Sequence, residues 1–287
     1  MITLDPAQLK PSEFHGWFLG AVIPRPIALV SSQDEDGNVN LSPFSFFNCF
    51  GVNPPILVFS PSRRGRDNTT KHTYENLREV PEAVVHIVNY SIVQQASLAS
   101  TDYPRDTDEF LKAGFTPVAS HRVKPPRVQE APVAMECEVV DIIPTGEGGG
   151  AGNLVICKVV LMHVSEHVVG QNGRIDPFKL DAVARLGQDW YCRVTGETIF
   201  AVPRPNVVMG MGIDQLPVDV RTSAVLTGNE LAQLALVEEI PAVDPMFDEP
   251  RLSGASAAGK QALHILARDL VREGNIEAAW QVLLRSE

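Results

Sequence analysis

Across the first two thirds of the chain, apolar residues gather in short runs separated by turn-forming clusters. Residues 25–32, 38–46, 55–60, 83–89, 133–143, 154–165 and 198–202 are rich in Val, Ile, Leu and Phe. Asp36-Gly37, Asn53-Pro54-Pro55 and the glycine cluster 146–152 punctuate them. Short β-branched runs bounded in this way predict strands. Around 73–79, 90–101 and 106–113 the apolar spacing is nearer three or four residues, which predicts helices. Strands outnumber helices and follow one another through hairpin-length turns, so an antiparallel architecture fits better than a parallel βαβ sheet. The pattern alone does not separate a closed barrel from a sandwich.

Beyond residues 202–206 (VPRPN) the character changes. Segment 207–240 is apolar without a clear period and reads as an extended arm with one short helix at 228–236. After a proline-marked acidic linker at 241–250, helical periodicity returns. Ala262, Ile265, Leu266, Leu270 and Val271 form one stripe, and Ile276, Ala279, Trp280, Leu283 and Leu284 form another, across Glu273-Gly274-Asn275. These stripes predict an antiparallel helical hairpin packed on a neighbouring surface, because one such pair cannot stack into a solenoid.

The formal net charge of -11 over 287 residues argues against nucleic acid as a partner, since neutralising phosphates needs clustered Lys and Arg. No unbroken apolar run is long enough for a bilayer, and the opening MITLDPAQLK lacks the apolar core of a signal peptide. A cytoplasmic protein without a membrane partner is expected. Cys49, Cys137, Cys157 and Cys192 are scattered and form no CxxC pair, which suits reduced thiols better than disulfides or a zinc site. Cys137 and Cys157 lie in strand-like runs and are expected in the core.

Candidate chemistry concentrates just before the first predicted helix. Ser60, Ser62, Arg63, Arg64, Arg66 and Lys71 precede the run Lys71-His72-Thr73-Tyr74-Glu75-Asn76, in which Thr73 reads as an N-cap and Glu75 as a first-turn acid. Hydroxyls, cations and unpaired helix N–H groups together suit a phosphate dianion. The competing reading is a solvated basic loop before an ordinary helix. No GxxxxGK precedes the helix, so a nucleoside triphosphatase is not indicated.

Three other patterns resemble chemistry without supporting it. His163-Val164-Ser165-Glu166-His167 matches HxxEH, but LVICKVVLM before it predicts a strand, which would hold the two histidines about 13 Å apart at ~3.3 Å per residue. The cluster Gly146 to Gly152 leads into another strand rather than a helix, which suits a flexible hairpin tip and not a dinucleotide loop. Residues 254–259 (GASAAG) lack the GxSxG spacing, and Ser256 there reads as an N-cap. No metal ligands and no catalytic triad are expected.

The run RPIALVSSQDEDGNVNLSPFSFFNCFGVNPPILVFS, followed by Lys71-His72-Thr73 and later by RLGQDWYCRV, resembles the flavin reductase-like family of FMN-binding split barrels over roughly residues 14 to 205. Two positions depart from the family pattern: His72 stands where Asp is common, and Gln188 replaces a second glycine. The resemblance implies a mainly β fold, an antiparallel Greek-key split barrel with peripheral helices, in a domain 1–205 followed by a C-terminal helical extension 206–287. It implies FMN, with Ser60, Ser62, Lys71 and Thr73 at the phosphate. Ser45, Asn48 and Cys49 would lie along the isoalloxazine, Asn48 through its amide and Cys49 through its backbone N–H. It further implies NADH or NADPH as electron donor, and a partner oxygenase or electron-transfer protein. Hydride transfer to a flavin needs no protein acid or base, which accords with the missing triad. A homodimer is implied as well, and the apolar segment 207–240 supports it as a patch too large to leave exposed. An FMN-holding electron carrier, a ferric-type reductase and a non-enzymatic flavin-binding module share the same site and stay open.

Overall fold

Seven runs of mainly apolar residues form one antiparallel sheet, in the order Val39–Phe44, Ala28–Gln33, Glu82–Ile87, Val133–Pro144, Asn153–Val164, Pro55–Phe59, Phe47–Val52. The computed structural model describes residues 1–203 and 209–285. The two outermost strands of this sheet are consecutive in the chain and joined only by Ser45 and Phe46, so the sheet must curl until its edges approach. Ser60 N–H donates to Phe46 O at 2.9 Å, which ties that joint to the end of strand Pro55–Phe59. Bulges at Ile156/Cys157 and Val159/Leu161 on the long hairpin supply additional bend.

Strand alternation decides which side chains fill the interior. Ala28, Val30, Phe44, Phe59, Val85, Met135, Cys137 and Cys157 pack together within the curl. Leu29 and Leu41 face outward and pack with Ile92, Ala96 and Phe110, from the region of helices Val93–Leu98 and Glu109–Ala113. Phe59 is fully buried and stacks on Phe44 with ring centroids 5.4 Å apart, so Phe59→Ala would cost about 3–5 kcal/mol. The two predicted core cysteines lie in this interior. Helix His72–Glu79 adds Leu77 to the same cluster. This is the split barrel with peripheral helices that the sequence implies.

A small sheet of Arg25–Pro26, Val183–Arg185 and Tyr191–Arg193 stands beside the barrel. Buried Arg25 donates to Leu19 O at 2.8 Å, Val22 O at 2.5 Å and Leu186 O at 2.9 Å, which ties helix Pro11–Ala21 to this sheet. Neither that helix nor strand Phe47–Val52 is predicted from the pattern. The strand is exposed along most of its length, so it carries no alternation to read. The strand expected at 198–202 does not form; its place is taken by Tyr191–Arg193. Lys71, not Thr73, is the N-cap of its helix.

The chain divides into two compact units, Met1–Phe200 and Ala201–Glu287; the expected boundary between 205 and 206 lies outside the described residues. In the second unit, the described part of 207–240 is not an extended arm. Leu216, Val220, Leu226, Leu231 and Leu234 bury themselves in one core with Leu263, Leu266, Leu270, Ala279 and Trp280. An apolar run lacking one sustained period is here divided among short turns and helix Gly228–Leu234. Burial within this unit also removes the exposed-patch argument for a dimer. The hairpin of Lys260–Arg272 and Ile276–Leu283 is present, turning through Gly274 with φ 81° and capped by Asn275. Its first stripe is rotated: Leu263, Leu266, Ala267, Leu270 and Val271 are buried, while Ile265 is 38% exposed. Trp280 Nε1 donates to Leu234 O at 3.1 Å. Ser256 lies inside helix Leu252–Ala258, and Gly259 rather than Ser256 precedes the next helix.

Candidate functional site

Two clefts reach the joint between the outermost strands; Ser45 lines one and Phe46 the other. The first, between strand Val39–Phe44 and the segment that begins with helix Val93–Leu98, consists of two adjoining pockets. One end mixes apolar Ile27, Pro43, Val88 and Ala96 with polar Ser45, Ser97, Arg185 and Tyr191. At the other end lie Asn40, Ser42, Arg64, Lys71, His72, Thr73, Asp102 and Glu109, with Ser100 common to both.

The polar end is organised around a carboxylate. Asp102 takes Lys71 Nζ at 3.1 Å, Arg64 Nε at 3.0 Å and Arg66 Nη2 at 3.0 Å. Burial opposes ionisation of Asp102, but the hydrogen bonds from Lys71 and Arg64 outweigh it and hold the carboxyl below its ordinary range. Thr73 is buried, and its hydroxyl accepts from Asn40 Nδ2 at 2.8 Å. It sits in the first turn, where backbone N–H groups have no intrahelical acceptor. Burial, followed by the Arg64 charge, lowers the pKa of His72, which favours a neutral ring where Asp would bring another anion. Glu109 accepts Leu41 N–H at 3.1 Å, and burial raises its pKa.

Phe14, Phe18, Phe46, Ser62, Arg63 and Gly149 line the second cleft. Ser62 Oγ is buried there without a hydrogen-bond partner. Ser60 Oγ accepts Asn153 N–H at 3.0 Å, and Arg63 bonds Asn68 Oδ1 at 2.6 Å. The glycine cluster is a hairpin tip but not a loose one. Arg63 N–H donates to Ala151 O at 2.8 Å, and Gly150 N–H to Arg63 O at 3.0 Å. A Cβ on Gly149 would lie 3.1 Å from Gly65 O and 3.2 Å from Arg64 O, so glycine permits this close approach. Lys71, Thr73 and Ser45 thus share the first cleft, while Ser62 belongs to the second. Asn48 and Cys49 lie on exposed strand Phe47–Val52, where Asn48 Oδ1 accepts Cys49 N–H at 2.8 Å.

The family model described as "Flavin reductase like domain" matches residues 19–178. The chain belongs to the flavin reductase-like family. A protein of Halalkalibacterium halodurans is 37% identical over 206 residues, covering 71% of this flavin reductase-like chain and 97% of the relative. Nitrilotriacetate monooxygenase component B from Bacillus cereus superposes with a TM-score of 0.66 at 32% identity, over 70% of this chain and 98% of its own. Pseudomonas fluorescens 2-nitrobenzoate 2-nitroreductase superposes with a TM-score of 0.62 at 28% identity, over 70% and 96%. With the family shown, a flavin-related oxidoreductase role is supported.

Sequence reasoning noticed the RLGQDWY segment but not what its arginine does. Arg185 Nη1 donates to Tyr191 Oη at 2.6 Å, and its guanidinium lies 4.8 Å from that ring's centroid. Gln188 has φ 55° and gives its carbonyl to Arg185 Nη2 at 2.6 Å. The left-handed backbone explains why glycine suits position 188 in this flavin reductase-like family.

The HxxEH histidines do not share one helix face. His163 is the penultimate residue of strand Asn153–Val164, whereas His167 lies on the turn Glu166–Val168. The His163 ring instead contacts Glu136 Oε1 at 2.7 Å.

Proposed function

We propose that this chain is an FMN-binding flavin reductase that draws electrons from NADH or NADPH. The observation that carries the reading is the gathering of Lys71, Arg64 and Arg66 about the Asp102 carboxylate, at the polar end of a cleft whose other end adds an apolar wall of Ile27, Val88 and Ala96. Asp102 acts there as a stand-in anion, so these cations suit a phosphate. When bound, FMN supplies the hydride-accepting ring on which such chemistry depends.

In this reading Lys71 and Thr73 bind the phosphate, while Ser62, which lines the second cleft, and Ser60, whose hydroxyl accepts Asn153 N–H, are left out of its contacts. Ser45 orients the ring edge, and the apolar wall of Ile27, Val88 and Ala96 excludes water. Asn48 and Cys49 would approach the ring from the exposed strand in a homodimer whose subunits meet near the flavin. Phe50 and Val52, 69% and 92% exposed on that strand, support a second copy as its cover. Residues 1–205 would form the flavin domain and 206–287 an appended helical domain. The name of the Bacillus cereus neighbour, a monooxygenase component B, favours an oxygenase partner that uses the reduced flavin. We place the protein in the cytoplasm, and no helix among the described residues is long and apolar enough to cross a membrane.

The test is an anaerobic titration of the FMN-loaded protein with NADH and with NADPH, followed at the flavin absorption band. Bleaching at one equivalent of either donor is expected. Tightly held flavin that neither donor reduces would replace the reductase with an electron carrier or a flavin-binding module.

A further inference from the structure

Glu136 is 0% exposed and lies on the central strand Val133–Pro144. Its carboxylate is clamped by the loop before that strand: His121 N–H donates to Oε1 at 2.9 Å and Arg122 N–H to Oε2 at 2.6 Å. From the adjacent strand, His163 Nε2 meets Oε1 at 2.7 Å. The exposed His121 ring stands edge-on to the His163 ring, with centroids 5.0 Å apart and planes at 83°. One potential ligand atom from each of His121, Glu136 and His163 falls within 4.8 Å of the others.

We propose that His121, Glu136 and His163 bind a divalent transition-metal ion of the zinc class. Two imidazole nitrogens and one carboxylate oxygen form a donor set that Zn²⁺ accepts, at about 2.0–2.2 Å from each ligand. The backbone N–H groups that orient Glu136 act as the outer hydrogen bonds that fix a ligating carboxylate. His163 would ligate through Nε2 in the tautomer that carries its proton on Nδ1, and nothing is oxidised or reduced. His121 lies in the exposed loop and supplies the movement needed to close the site. Three protein ligands leave a position for water. Arg127 Nε, 4.0 Å from Glu136 Oε1, opposes the cation and makes the affinity weaker than that of a closed four-ligand site. The ion would fasten the His121 loop to two barrel strands. His167 has no part in it.

The chelator-treated full chain is titrated with Zn²⁺ by calorimetry, and with Co²⁺ by visible absorption. Wild type is expected to take up one ion with a dissociation constant below about 10 µM, to show a tetrahedral-type Co²⁺ band, and to melt at higher temperature with Zn²⁺ present. His121→Gln and His163→Gln should each weaken Zn²⁺ at least about tenfold while flavin content stays unchanged, and His167→Gln should bind as wild type. Because His121 is exposed, its variant remains informative even if His163→Gln destabilises the fold. Uptake weaker than about 100 µM in wild type, or equal uptake by wild type and His121→Gln, overturns the site.

Discussion

Lys71 and Asp102 meet at 3.1 Å, Nζ to Oδ1, and Arg64 and Arg66 close on the same carboxylate. An anion belonging to the chain therefore occupies the cation cluster to which we assign the flavin phosphate. Phosphate and Asp102 should compete, because like charges at one site disfavour each other. Asp102→Asn is expected to tighten FMN by about tenfold, or ~1.4 kcal/mol, and to change riboflavin less than about twofold. Flavin fluorescence quenching measures both. Weaker FMN binding in the variant would make Asp102 an organiser of the cations instead of a competitor.

Gln188 holds a left-handed backbone at φ 55°, which costs a residue with a Cβ about 1 kcal/mol. Gln188→Gly is expected to stabilise the protein by at most about 0.5 kcal/mol, the greater freedom of glycine in the unfolded chain offsetting much of the gain. Urea unfolding reads the difference, and a destabilised variant would mean that the Gln188 side chain contributes more than the strain removes.

His86 is fully buried; its Nδ1 meets Leu29 O at 2.8 Å and its Nε2 accepts Val128 N–H at 2.9 Å. These contacts fix the neutral tautomer. Burial, aided by the Arg127 and His163 charges and against the Leu29 contact, pushes the pKa from 6.5 down to about 4. The unfolded state thus binds the proton more readily, so stability from this histidine is complete above 6.5 and falls as pH drops toward 4, by on the order of 3 kcal/mol. Gln can donate and accept in the same two directions without titrating. His86→Gln should flatten the urea-derived stability profile between those pH values; an unchanged slope would assign the acid sensitivity to other groups.

Exposed Phe50 and Val52 replace segment 207–240 as the structural support for a dimer. Val52→Lys, on the edge strand, is expected to shift light-scattering mass from two subunits toward one at micromolar concentration. A wild-type monomer with flavin bound would remove the dimer from the account.

Most barrel strands were legible as short β-branched runs bounded by turn clusters, but strand Ala28–Gln33, buried on both faces, shows why the pattern left barrel and sandwich open and only the family resemblance implied the barrel. Strand Phe47–Val52 was not legible, because exposure along most of its length leaves no alternation to read. In the second unit, short turns hide the core from any periodicity search, although the Trp280 helix was visible. Lys71 and Thr73 could be placed beside a helix start from local chemistry. The Asp102 carboxylate on Lys71 and Glu136 between two histidines join residues distant in sequence, and no local pattern announces such meetings. Position 188 was noticed as a departure from glycine, yet its physical reason is a backbone angle that only the structure supplies.

The central claim is that the cleft holds FMN by its phosphate at Lys71. It is tested most directly by measuring FMN and riboflavin affinity in parallel for wild type and Lys71→Ala. Loss of a charge-assisted hydrogen bond predicts FMN binding weaker by about 1.5–3 kcal/mol, with riboflavin, which lacks the phosphate, changed less than about twofold. Equal loss for both ligands, or no loss for either, would move the phosphate away from Lys71 and contradict the account.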